Sequence, residues 1–93
     1  MAEQNPPRIS WDKSTEKKFQ QILMKIPDMI RGIAETRICR KAEGLIQQQN
    51  RWVIEEKDMV DAFFAETPPA FVGAMKDGMV EVGIDVTKYG YKN

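Results

Sequence analysis

Residues 26–49, IPDMIRGIAETRICRKAEGLIQQQ, form the longest part of the chain that keeps a single period. Their apolar members Ile26, Ile30, Ile33, Ala34, Ile38, Ala42, Leu45 and Ile46 recur at three- and four-residue spacing. That spacing gathers them on one broad stripe of an α-helix. Pro27 stands where a first helical turn tolerates proline, because an N–H there has no intrahelical partner. The internal glycines Gly32 and Gly44 weaken the helix without ending it. At roughly 1.5 Å per residue the run spans about 35 Å. A rod of that length with one greasy side predicts the spine of a small all-α domain, its stripe covered by shorter helices.

The chain has 93 residues, enough for one domain and a modest core. With 42% hydrophobic and 30% charged residues it belongs with ordinary soluble proteins rather than disordered ones. No apolar run approaches the ~20 residues of a membrane span. The polar start MAEQNPPRIS lacks the apolar core of a signal peptide. The expectation is a cytoplasmic protein with no membrane contact. There is no histidine and one cysteine, Cys39. One chain therefore cannot form an internal disulfide, nor assemble zinc or iron–sulfur sites from Cys/His clusters. Catalysis by Ser–His or Cys–His pairs drops out with the missing base. No catalytic residue, metal ligand or cofactor is predicted.

Net charge is zero, yet the signs are segregated. Residues 8–51 hold ten Lys/Arg against five Asp/Glu, and residues 55–85 hold eight Asp/Glu against two Lys. Such polarity orients a molecule on a partner or pairs two copies of it.

Residues 1–9, with Pro6-Pro7 and no apolar period, read as a flexible arm. A single helical domain is expected over residues 10–85, followed by a tail over 86–93. Trp11 is placed over the edge of the core, and Asp12 or Ser14 can cap a first helix running to about Lys25. Its inward residues are Phe19, Ile22 and Leu23, and the approach to Pro27 ends it. On the long helix, Arg37 and Lys41 fall close to the apolar stripe. They either lay their methylenes on the core or form a basic seam facing a cleft. Cys39 lies at the far edge of the stripe beside Arg40, a cation that favours thiolate, but the chain offers no base to use it as a nucleophile. Asn50 suits a left-handed helix end, and residues 51–54, RWVI, suit a short extended connector. Glu55, Glu56 and Asp58 place negative charge at the start of a third helix, which buries Met59, Val60, Phe63 and Phe64. Thr67 caps and Pro68 opens a fourth helix, with Phe71, Val72, Met75, Met79 and Val82 inward and Gly83 closing it. Val86, Tyr89 and Tyr91 give the tail apolar groups without a regular pattern.

Trp11, then Ile26-Pro27-Asp28-Met29-Ile30-Arg31, then Val53-Ile54-Glu55-Glu56 ahead of residues 59–62, together resemble a known small module. It is the domain at the C-terminus of the B subunit of light-independent protochlorophyllide reductase, with its stand-alone bacterial relatives. The match runs over about residues 10–66, and the positions carried over are Trp11, Pro27 and Arg31. The chain departs from the pattern at Ile54, where the family has Thr, and at Asn50, where it has Gly. The resemblance implies a short helical module that helps cover a tetrapyrrole site in a larger redox complex. The chain itself lacks the cysteines of that complex's clusters.

The function expected is therefore a small, non-catalytic interaction or accessory module. Its partner is another protein or a second copy, met through Arg31, Arg37, Arg40, Lys41, Trp52, Tyr89 and Tyr91. Tetrapyrrole handling, in a slot between the third and fourth helices, is a second reading. A third comes from the helix order, which also resembles the histone fold and points to nucleic acid. Zero net charge weighs against that one.

Overall fold

The structure, a computed structural model, describes residues 8–92. The arm expected over residues 1–9 lies outside them except for Arg8 and Ile9. The fold is all-α, with four helices among the described residues. A two-residue strand β1 (Ser10–Trp11) leads into α1 (Lys13–Leu23) and then the longest element, α2 (Asp28–Gln48). Strand β2 (Val53–Ile54) precedes α3 (Glu56–Glu66); a 3₁₀ turn (Pro69–Phe71) opens into α4 (Val72–Glu81), and a second 3₁₀ turn (Val86–Tyr89) closes the chain.

Local chemistry explains most of these boundaries. Asp12 caps α1, its carboxylate accepting from the Thr15 N–H at 3.0 Å and the Thr15 hydroxyl at 2.9 Å. Asn50, at φ 56°, ends α2 in the left-handed region, and the Arg51 N–H reaches back to the Ile46 carbonyl at 2.9 Å. Gly83, at φ 85°, ends α4 in the same manner, with the Ile84 N–H on the Met79 carbonyl at 2.9 Å. Asp58 caps the start of α3 from within, accepting the Glu55 N–H at 2.8 Å.

Two sequence expectations shift here. Thr67 closes α3, its N–H on the Phe63 carbonyl, and makes no side-chain cap for the fourth helix. Two consecutive prolines each lack a donor, so the chain turns in 3₁₀ form before α4 begins. Strand β1 was not anticipated; it pairs in parallel with β2, Ser10 opposite Val53 and Trp11 opposite Ile54. Two residues are too few to show a period, so only the long-range pairing defines them.

Trp11 stacks on Phe19 with ring centroids 4.6 Å apart, and Phe19 meets Phe63 edge-on at 5.9 Å. Around them the core takes Ile22 and Leu23 from α1 and Ile38, Ala42 and Ile46 from α2. Met59, Val60 and Phe63 come from α3, Met75 and Met79 from α4. Ile84 and Val86 are buried too, and Tyr89 and Tyr91 pack against the core, so the apolar groups of the tail rest on the body.

The expected stripe on α2 is only half covered. Ile38, Ala42 and Ile46 are buried, whereas Ile30 is 52% exposed and Ile33 58%. Met29, one turn from Ile33, is 93% exposed. The physical reason is where α3 and α4 go. α3 is the element most extensively packed on α2, while α4 packs chiefly on the two 3₁₀ turns. The first half of α2 thus lacks the cover that its pattern implied.

Candidate functional site

The uncovered half of α2 borders a groove of about 350 Å³. One wall is α2 itself, through Ile26, Ile30, Ala34 and Arg37 at helical spacing. The facing wall comes from the 3₁₀ turn and α4, through Pro68, Phe71, Ala74 and Gly78. Ile22, Ile38, Phe63 and Met75 form the floor, shared with the core. Phe71, expected on a buried face, is 62% exposed because it lies in the turn ahead of α4 and out of phase with it. Charge enters at the rim, with Arg37 on α2 and Glu66 at the end of α3. Neither makes an ion pair among the described residues. Lys25, also at the groove, pairs with Glu81.

The residues expected to bind a partner do not form one cluster. Arg37 lines the groove; Arg40 and Lys41 are exposed on the next turn of α2, also without ion pairs among the described residues. Trp52, 40% exposed, sits beyond the opposite end of α2, next to β2. Arg31 is occupied within the molecule. Its Nε donates to the Leu23 carbonyl at 2.8 Å, one Nη to the Ile26 carbonyl at 2.8 Å, and the other pairs with Asp28. It caps the end of α1 and fixes the turn through Pro27 into α2.

The two tyrosines are likewise engaged. The Tyr89 hydroxyl donates to Glu56 at 2.6 Å, and Lys18 holds the other oxygen of that carboxylate at 2.7 Å. Burial would raise the Glu56 pKa, but the hydrogen bonds from Lys18 and Tyr89 outweigh it and hold the carboxyl below its usual range. Tyr91 stacks on Phe64 at 3.8 Å and donates to Asp61 at 2.6 Å. Burial, then the Asp61 bond, push its phenol up to about 12. Burial and Glu56 raise Tyr89 as well.

Cys39 is half-buried, and its thiol is pushed up by burial, then by Glu35 and Glu43, the opposite direction from the thiolate expected beside Arg40. Among the described residues no three or more His, Cys, Asp or Glu side chains gather as metal ligands would. No helix there is long and apolar enough to cross a membrane.

Sequence reasoning missed Glu66 and the facing wall of the groove. One signal for it was present: Arg37 falls in phase with Ile26, Ile30 and Ala34. A cation on an apolar stripe marks a length of stripe that no neighbouring helix seals. Set against protein-family models, curated proteins and solved structures, the chain matches none.

Proposed function

We propose that this chain is a small, non-catalytic accessory module of the cytoplasm that works by docking on another protein. The likeness of Trp11, Pro27 and Arg31 to the C-terminal module of protochlorophyllide reductase B subunits suggests a larger, redox-associated complex as its setting. The observation that carries the reading is the groove between α2 and α4. It leaves Ile30 and Phe71 largely in water, and Met29 and Ile33 are exposed beside it on the same half of α2. Its occupant is an amphipathic helix with apolar anchors three and four residues apart, the usual filling of a groove between helices. Acidic residues beyond the anchors complement Arg37, Arg40 and Lys41, which have no ion pairs among the described residues.

The test is titration of isotope-labelled protein with a synthetic helical peptide of that design. Signals of Ile30, Ile33 and Phe71 move on addition while those of Trp52 stay. No movement at about 1 mM peptide, a limit corresponding to some −4 kcal/mol, rejects the reading. Equal movement in an Ile33→Asp variant also rejects it. Tetrapyrrole handling remains a second reading, favoured by Phe63, Phe71 and Met75 beside Arg37 in the same groove. A porphyrin absorbance shift lost on Phe71→Asp would replace the peptide reading with it. Nucleic-acid binding has less support, since the basic residues adjoin an apolar face and the net charge is zero.

A further inference from the structure

We infer that the groove is covered by a second copy of this chain, related by a two-fold axis running along the groove's mouth. The inference rests on the reading of the groove as a helix-docking surface and names its partner.

The walls of the groove are unlike. The α2 wall offers Ile30 and Arg37, with Ile33 and Arg40 exposed on the same helix just outside the lining. The other offers Phe71 and Ala74, with Glu66 at the end of α3 and Asp77 exposed one turn along α4, while Lys25, which also lines the groove, is already paired with Glu81. Arg37 and Glu66 both border the groove, yet neither has a partner among the described residues. Each wall is thus what the other lacks: one apolar and basic, one apolar and acidic.

Symmetry then selects the arrangement. An axis along the mouth exchanges the walls, so α2 of each protomer lies on α4 of the other and every contact is made twice. Ile33 of one copy meets Phe71 of the other, and Arg37 meets the partner copy's acidic wall at Glu66. An axis running across the mouth would instead set α2 on α2 and bring Arg37, Arg40 and Lys41 of both copies together, which like-charge repulsion disfavours. Zero net charge leaves no overall repulsion between copies.

Sedimentation equilibrium of the full chain tests this over a concentration series. The wild type forms dimers and no higher species. Ile33→Asp weakens dimerisation by at least about tenfold, as expected for a central apolar contact. Arg37→Glu and Glu66→Arg each weaken it, and the two together in one chain restore it. Far-UV circular dichroism confirms that the variants stay helical, since Ile33 and Arg37 are exposed. A wild type that stays monomeric up to about 1 mM overturns self-pairing. A dimer indifferent to Ile33→Asp, or a double reversal that fails to restore pairing, overturns it equally. If the chain is monomeric while the helical peptide still moves Ile30 and Ile33, docking on a foreign helix stands and only self-pairing falls. If neither occurs, both fall.

Discussion

Arg31 draws together the last turn of α1, the Pro27 corner and the first turn of α2 through one guanidinium. Charged hydrogen bonds to backbone carbonyls contribute about 1.5–3 kcal/mol each, less where solvent screens them. Arg31→Ala is expected to lower stability by roughly 2 kcal/mol in urea unfolding, and Arg31→Lys by nearly as much, because one ammonium nitrogen cannot reproduce the three separate nitrogens with which the guanidinium meets Leu23, Ile26 and Asp28. At the other end of the chain the tyrosines set an alkaline limit. The ordinary phenol value is 10.0, and Tyr91 in the fold is pushed up to about 12, with Tyr89 raised as well. The native state therefore keeps protons that the unfolded chain has already released. Their stabilising effect is whole below pH 10 and is lost as pH rises from there through the folded value. Unfolding free energy should fall over that window, and the fall should shrink in Tyr91→Phe. Glu56, held low, works in the opposite sense: its contribution is present above its ordinary 4.5 and fades as pH drops below it.

At the scale of elements, α2 is two different half-helices. Ile46 is fully buried against α3, so Ile46→Ala should cost about 2–5 kcal/mol. Ile33→Ala, on the open half, should change stability by no more than about 0.5 kcal/mol. Equal losses at the two sites in thermal or urea unfolding would contradict this division. The period of residues 26–49 made the helix legible, and Asn50 and Gly83 made the ends of α2 and α4 legible, because these signals are local. What the period could not reveal is which turns of a stripe meet another helix. That depends on the direction α4 takes after Pro68-Pro69, a consequence of the whole packing. Strand β1 escaped for the same reason, its two residues being defined by partners more than forty positions away. Arg31, Tyr89 and Tyr91 were legible as unusual but not as internally bonded, since polar and aromatic groups serve surfaces and internal clasps alike.

As a whole molecule, the chain closes its core at one end and leaves it open at the other. The closed end joins β1, β2, α3 and the tail around Trp11, Phe19 and Phe63. The open end presents a greasy groove with Arg37 and Glu66 at its rim. Surface contact at that groove is the activity proposed for the chain. Thiol labelling reads the state of that groove directly, because Cys39 supplies a half-buried, slow-reacting internal standard. In a dilute Ile30→Cys variant, position 30 should be alkylated many times faster than Cys39, and an excess of the wild-type chain should slow it toward the Cys39 rate. Position 30 reacting no faster than Cys39 at every dilution would mean that the groove is closed within a single chain, which contradicts docking there.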